Sequence, residues 1–430
     1  MATVSFITQG CSANYADTEM MMGILEEAGY QICDDPAQAE VVVFNTCTVK
    51  GPTEAFFKKT LETLRMQKKK IVLTGCIPQA EKNLSQYADC SLLGPSQIRH
   101  IATVVKETLE GRPVINLVRS YDPKIDLPKV RKNPLIEITQ IATGCTDACA
   151  YCKTKHARGG IRSTPPELLV ASIREALAQG VREIWLTSQD NGAYGKDLKT
   201  NLVVLLRKIL EIKKPFKLRI GMANPNHLLP IHDELLWLMK DDHRLFHFLH
   251  IPVQSGSNAV LSAMQRAYRV EEYVFLYRRI KEELPACTIA TDVICGYPTE
   301  TEEDHQKTLE MLKTYPPEVL NISKFWPRPD TPAASLKQLP GKVVKRRTKE
   351  VAELYAQLAE EKNKAWIGWE GEAIVDEISP QQTFVARNQS YRPIVLQSTL
   401  DLFGKKVKVR IHSASIHDLR GYLLDELGDA

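Results

Sequence analysis

The sequence predicts an α/β chain in three parts: an N-terminal doubly wound parallel sheet, a central partial or full α/β barrel, and a small all-β barrel at the C-terminus. Three observations carry that expectation. Short runs rich in β-branched residues alternate with amphipathic stretches over most of the 430 residues, as parallel strands covered by helices do. The alternation breaks once, at 116–132, where Asp122-Pro123 and Pro128 interrupt any steady period. After residue 366 the helical period gives way to strand-like alternation. A hydrophobic share of 43% with 25% charged residues suits several globular cores, and 430 residues exceed one ordinary domain. The expected boundaries are 1–115 for the first unit, 116–132 for a linker, 133–340 for the barrel, 341–366 for a connecting helix and 367–430 for the last unit.

In the first unit, Val4–Thr8, Val41–Asn45 and Ile71–Thr74 read as buried strands, separated by helical stretches at about 17–29, 53–68 and 95–109. Cys11, Cys47 and Cys76 each fall a few residues past the C-terminal end of one strand. Those ends line the crevice where open α/β sheets bind ligands. One buried cysteine is ordinarily a small hydrophobe. Three at consecutive strand ends point instead to thiols converging on one centre.

The barrel unit opens at Leu135–Ile141 and continues through Glu183–Thr187, Lys217–Gly221, Phe246–Val253, Thr288–Ile294 and Leu320–Phe325. Helical patterns at about 166–179, 201–212, 230–240, 257–265, 270–283 and 301–314 fall among them, and such barrels keep their chemistry at the C-terminal strand ends. Directly after the first strand comes T-G-C-T-D-A-C-A-Y-C-K-T-K-H, with Cys145, Cys149 and Cys152. Three thiolates on one short loop can hold a single metal centre. A cubane iron–sulfur cluster takes four protein ligands when fully coordinated, so three leave one iron open to a small molecule. A structural zinc site with His156 as fourth ligand satisfies the same spacing. Cys33, Cys90, Cys287 and Cys295 match no motif and read as packing, as do His250, Trp185 and Trp237.

A charged helix at about 342–365 leads into the runs Glu372–Ile378, Thr383–Val385, Ile394–Gln397 and Lys406–Ile411, which read as a small barrel. The net charge of +4 is too small to imply nucleic acid by itself, but it is unevenly placed. Around the cysteine loop, residues 129–162 carry seven Lys/Arg against Glu137 and Asp147, and residues 341–349 carry five with no acid. Basic clusters beside a reactive loop suggest a polyanionic substrate. No apolar run reaches 18 residues and the N-terminus reads as a strand rather than a targeting segment, so no membrane and a cytoplasmic location are expected. Ten cysteines in that reducing setting suit metal ligands or buried thiols better than disulfides.

These motifs together resemble the radical S-adenosylmethionine methylthiotransferases, from about residue 3 to the end. T-Q-G-C-S-A-N-Y-A-D-T-E (8–19), N-T-C-T-V-K (45–50) and L-T-G-C-I-P-Q-A (73–80) are similar to the family's N-terminal domain. The Cys145–Cys152 loop is similar to its radical cluster site. H-I-P-V-Q-S-G-S-N (250–258) and T-D-V-I-C-G-Y-P (291–298) resemble later barrel strands, and the last unit resembles the RNA-binding TRAM module. C-K-T-K-H-A-R-G (152–159), E-I-W-L-T-S-Q-D-N-G-A-Y-G (183–195) and P-R-P-D-T-P-A-A (327–334) most resemble the archaeal and eukaryotic branch, which acts on N6-threonylcarbamoyladenosine beside the tRNA anticodon. Thr299 and Asp330 stand where that family often has glycine.

The resemblance implies two 4Fe-4S clusters, one on Cys145, Cys149 and Cys152 and an auxiliary one on Cys11, Cys47 and Cys76. The first would cleave S-adenosylmethionine reductively, and the deoxyadenosyl radical would take hydrogen from adenine C2. The second would carry the sulfur that a further S-adenosylmethionine methylates. Tyr151, Ser188, Gln189, Asp190, Gln254 and Ser255 would bind the cofactor. Lys153, Lys155, Arg158 and Arg162 would meet the anticodon phosphates or a substrate carboxylate. The implied partners are the tRNA anticodon stem-loop, an electron donor and a sulfur source. Isopentenyl-adenosine in tRNA and a ribosomal-protein aspartate are alternative substrates, and a zinc-bearing, non-catalytic RNA-binding protein is a more distant alternative.

Overall fold

The computed structural model describes residues 2–48, 51–120 and 122–429, so Val49 and Lys50 of the 45–50 motif and Tyr121 of the expected linker lie outside the described residues. The first unit is a six-stranded parallel sheet. Its spatial order is Gln31–Cys33, Thr3–Thr8, Val41–Thr46, Lys70–Gly75, Ser91–Leu93 and Ile115–Asn116. Successive side chains of a strand face opposite ways, and the cores divide accordingly. Val41, Val43 and Val72 pack on one face with Met20 and Leu25 of helix Ser12–Glu27 and Val104 of helix Ile101–Leu109. Val42, Phe44 and Leu73 pack on the other with Phe57 and Leu61 of helix Gly51–Met66.

Three short strands escape the sequence pattern, and one of them, Ile115–Asn116, straddles the expected boundary at 115. The first helix begins at Ser12 rather than near 17. Its opening turns bury Asn14, Asp17, Thr18 and Glu19, so its inward face is polar there and an apolar period does not reveal it.

The central unit forms two parallel three-stranded sheets, Ile136–Gln140, Glu183–Thr187, Lys217–Arg219 and Phe248–His250, Thr288–Cys295, Val319–Lys324. A parallel bridge from Leu218 to Leu245 joins them, and Phe246 N donates to Leu218 O at 3.0 Å. The result is a partial barrel. Helix Ser12–Glu27 packs on its first strand, so the N-terminal unit closes one side of the opening.

Helix Gly341–Lys364 runs back along the last barrel strand, where Tyr355 Oη donates to Glu318 O at 3.1 Å. It delivers a closed five-stranded barrel ordered Glu370–Ile378, Phe384–Asn388, Pro393–Leu396, Leu419–Asp429, Lys405–Ala414. Val407, Val409 and Ile411 fill its core, and the intervening Lys408, Arg410 and His412 face solvent. This small barrel seats on the N-terminal strand ends of the central one. His247 N donates to Gln389 O at 2.8 Å, and the Tyr391 ring lies 4.7 Å from Phe246 and 5.3 Å from Phe248. The cysteine loop occupies the opposite end.

Two expectations change. Trp237 is not core: it is 53% exposed, with Arg207 5.4 Å from its ring. The basic run at 341–349 is partly structural, because Arg347 is buried and ion-paired to Glu300 at 2.8 Å and Arg346 pairs with Glu302 at 2.7 Å.

Candidate active site between two cysteine trios

Each cysteine of the first trio sits where the strand ends put it. Cys11 caps helix Ser12–Glu27, Cys47 follows strand Val41–Thr46, and Cys76 opens the short helix Cys76–Ala80. Buried amides tie the three turns together. Asn14 Nδ2 donates to Gln9 O at 2.8 Å and to Thr46 O at 2.9 Å, and Ile77 N donates to Thr46 Oγ1 at 3.1 Å. Gly10 stands at φ +111, where a Cβ would lie 2.8 Å from Cys47 Cβ and 2.9 Å from its Sγ. Only glycine lets the Cys11 turn approach Cys47 that closely.

The second trio is folded back on itself. Cys145 N donates to Gly159 O at 3.2 Å, Cys152 N to Cys149 O at 3.0 Å, and Ala150 N to Met264 O at 2.9 Å. Gly144, at φ +77, lies so close to Gly160 O that a side chain would collide with it. Two donors address the sulfurs. Asp147 N reaches Cys145 Sγ at 3.4 Å and Arg266 Nη1 reaches Cys149 Sγ at 3.1 Å. Burial pushes the Cys145 thiol up to about 12 and raises Cys152 and Cys76 as well. Neutral thiols with donors already aimed at sulfur fit a site that becomes anionic only when a metal centre displaces the protons.

Helix Thr154–Arg158, continuing from Cys152, packs on helix Cys76–Ala80, with Cys76, Ala80 and Ala157 buried together. The two cysteine trios are therefore neighbours. Beside them a cavity of about 750 Å³ is lined by Thr48 and Lys58 from the first unit, Tyr151 and Cys152 from the loop, and Gln254 and Trp326 from the barrel.

Of the remaining residues singled out in the sequence, Gln189 Oε1 accepts from Gly144 N at 2.6 Å and so holds the cysteine loop. Asp190 is buried and accepts from Asn224 Nδ2 at 2.7 Å, and Ser188 Oγ accepts from Asp190 N at 3.2 Å. Gln254 borders the cavity at φ +66, whereas Ser255 is buried and accepts from Ser257 N at 3.2 Å. Asp330, at φ +64, adopts the backbone that glycine favours.

The cations need correction. Lys153 and Arg158 do not present their charges to solvent. Lys153 donates to Pro329 O at 2.8 Å and pairs with Asp330 at 3.0 Å, and Arg158 pairs with Asp17 at 2.8 Å, each side chain 2% exposed. Lys155 donates to Cys145 O inside the loop, and Arg162 alone of the four is exposed. Each inward cation has a buried or half-buried acceptor facing it, which a count of charges along the chain cannot see.

Sequence reasoning missed the polar residues around the second trio. His227 Nε2 lies 3.0 Å from Asp147 Oδ1 and 3.5 Å from Asp190 Oδ2, while Arg266 also donates to Asn224 Oδ1. Ligand atoms of Cys145, Asp147 and Asp190 fall within 4.8 Å of one another. Asp147 was visible inside the motif, but Asn224 and His227 come from the short helix Pro225–Leu228 and its cap, and Arg266 from the turn after helix Asn258–Ala263, with no diagnostic spacing. Arg328 was missed too. It is buried at the cavity wall, donates to Glu54 Oε2 at 2.6 Å, and keeps Nη2 without a partner among the described residues.

Comparison with known proteins agrees with this three-part layout. Residues 3–91 match Uncharacterized protein family UPF0004, residues 139–312 the Radical SAM superfamily, and residues 366–424 the TRAM domain. The solved structure of the radical S-adenosylmethionine methyltransferase TsrM from Kitasatospora setae superposes with a TM-score of 0.57 at 14% identity, covering 78% of this chain and 75% of that one, a likeness of fold. Relatives named threonylcarbamoyladenosine tRNA methylthiotransferase are far closer in sequence. The Danio rerio protein is 42% identical over 99% of this chain and 79% of its own length, and the Homo sapiens protein 41% over 96% and 72%. A Pyrococcus horikoshii protein, named as probably of that kind, is 36% identical over 92% and 94%. With both cysteine trios in place at the strand ends, the chain belongs to the threonylcarbamoyladenosine tRNA methylthiotransferase family.

Proposed function

We propose that this chain methylthiolates C2 of N6-threonylcarbamoyladenosine at position 37 of tRNA, using S-adenosylmethionine, a 4Fe-4S cluster on Cys145, Cys149 and Cys152, and a second cluster on Cys11, Cys47 and Cys76. One observation carries the reading: a cavity of about 750 Å³ borders Cys152 on one side and reaches Thr48, next to Cys47, on the other. A base placed there lies between the centre that starts a radical and the centre that holds sulfur. When bound, the cofactors supply the one-electron chemistry and the methyl and sulfur atoms, which no side chain here can provide.

The chain's own residues position and shield. Arg266 and the Asp147 amide hold the second trio's sulfurs, and Gln189 fixes the loop through Gly144. Tyr151, Ser188, Gln189, Asp190, Gln254 and Ser255 would bind S-adenosylmethionine, Tyr151 and Gln254 from the cavity wall. Lys58, Lys324 and the unpartnered Nη2 of Arg328 offer positive charge at the cavity to an anionic substrate. Arg162 is the exposed cation of the loop segment and is proposed to meet the anticodon stem-loop. An external electron donor and a sulfur source complete the reaction, in a cytoplasmic setting. Among the described residues no helix is long and apolar enough to cross a membrane.

The test is mass spectrometry of tRNA nucleosides after anaerobic incubation of reconstituted protein with tRNA bearing threonylcarbamoyladenosine. The 2-methylthio derivative of that nucleoside is expected. Its absence, with methylthiolation of isopentenyl-adenosine or of a ribosomal-protein aspartate instead, would move the assignment to that substrate. Zinc in place of iron would reject the radical chemistry altogether.

A further inference from the structure

Where the first unit meets the barrel, three segments distant in sequence converge on one buried carboxylate. Asp17 Oδ1 lies 2.5 Å from Lys124 Nζ, an arm of the linker, and 2.7 Å from Gln140 Nε2 at the end of the first barrel strand. Asp17 Oδ2 lies 2.8 Å from Arg158 Nη2, the last residue of the helix that follows Cys152. Asn14 Oδ1 also accepts from Arg158 Nη2 at 2.8 Å. Two basic side chains share one carboxylate, so Asp17 neutralises the Arg158 guanidinium only in part, while burial and the Arg158 charge lower the Lys124 ammonium. Arg158 is permanently charged and its side chain is 2% exposed, which makes an uncompensated surplus costly.

The surplus faces the first trio. Arg158 ends the helix that packs on helix Cys76–Ala80, with its neighbour Ala157 buried against Cys76, and its charge works against the burial that raises the Cys76 thiol. Its Nε is buried and has no hydrogen-bond partner among the described residues. A neutral thiol is a weak acceptor, whereas a thiolate or a cluster sulfide accepts readily from a guanidinium. A cubane with three thiolate ligands carries net negative charge, and burial beside a fixed cation raises its reduction potential.

We infer that Arg158 is a positioning residue for the auxiliary centre: carried by the radical loop, it supplies the buried countercharge of the Cys11, Cys47 and Cys76 site and sets that site's reduction potential. Asp17 tempers this charge and Lys124 reinforces it, so the potential depends on how the linker and the radical loop dock against the first unit. The inference rests on the two-cluster reading above.

The test uses the full chain, reconstituted anaerobically, with iron content and electron paramagnetic resonance followed through a redox titration. Arg158→Gln removes the cation and is expected to move the auxiliary midpoint to more negative potential by at least a tenfold change in the reduction equilibrium, about 59 mV for one electron. Asp17→Asn removes the opposing charge and is expected to move it the other way. Arg158→Lys retains most of the native value. Opposite shifts from the first two variants are what a merely structural contact would not produce. If Arg158→Gln fails to hold the auxiliary cluster, Asp17→Asn decides alone. Unmoved midpoints, or shifts of the same sign, overturn the inference while leaving two clusters standing. Iron for a single cluster in the native chain overturns the two-cluster reading and this inference with it.

Discussion

Gly10→Ala probes whether the first trio is a working centre, because the perturbation is one methyl group at one atom's distance. The backbone at φ +111 is strained for any residue with a Cβ, costing about 1–3 kcal/mol. The new carbon would also sit 2.8 Å from Cys47 Cβ and 2.9 Å from Cys47 Sγ. Forcing a well-packed site apart by that much costs a further ~1–3 kcal/mol. The sum, about 2–6 kcal/mol, is below or near the total stability of an ordinary domain, about 5–15 kcal/mol, so the turn moves before the sheet unfolds. Cys11 and Cys47 then no longer converge. Anaerobic reconstitution should give half the native iron, with reductive cleavage of S-adenosylmethionine retained and methylthiolation of tRNA lost. The thermal midpoint of the first unit should fall by roughly 8 °C or more. Full iron content together with native methylthiolation would refute the argument, since the close approach would then have no bearing on the centre.

Further outcomes follow from the same geometry. Gly144→Ala, which drives a side chain into Gly160 O, should lose the other half of the iron and abolish cleavage of S-adenosylmethionine as well as methylthiolation, read by iron analysis and by 5′-deoxyadenosine formation. Trp326, 56% exposed at the cavity, should stack a substrate base; Trp326→Ala should weaken stem-loop binding by about 1–3 kcal/mol in an anisotropy titration while leaving the thermal midpoint unchanged. Asp376 lies where the small barrel meets the central one, and burial with a contribution from Glu183 raises its carboxyl to about 8. The folded state therefore keeps a proton that the unfolded chain releases near pH 4, so stability should decline as pH rises from about 4 to 8. Asp376→Asn should flatten that decline in denaturant titrations across the range, and an unchanged slope would assign it to other groups.

Much of this molecule was legible in one dimension. Strands Val41–Thr46 and Glu183–Thr187 and helix Val270–Glu283 announce themselves because a buried strand or an amphipathic helix must repeat apolar residues at its own period. What escaped was of two kinds. Two- and three-residue strands such as Ser91–Leu93 and Ile115–Asn116 are too short to show a period and exist because neighbouring strands offer them an edge. The start of helix Ser12–Glu27 buries polar residues, so an apolar pattern passes over it, and that polar face is where Asp17 receives Lys124 and Arg158.

The two cysteine trios and the family likeness follow from residue identity and local spacing alone, since a short loop and a strand end leave a thiol few directions to face. Which cations serve a substrate and which serve the protein did not follow. Lys153, Arg158 and Arg347 look alike in sequence to exposed Arg162, yet burial and a facing carboxylate make them internal partners. The residues around the second trio, Arg266, Asn224 and His227, reach it from two other segments, the turn after helix Asn258–Ala263 and the short helix Pro225–Leu228 with its cap. Charge and desolvation act through space, so their outcome is decided only when the chain has folded segments from residue 17 to residue 347 against one another.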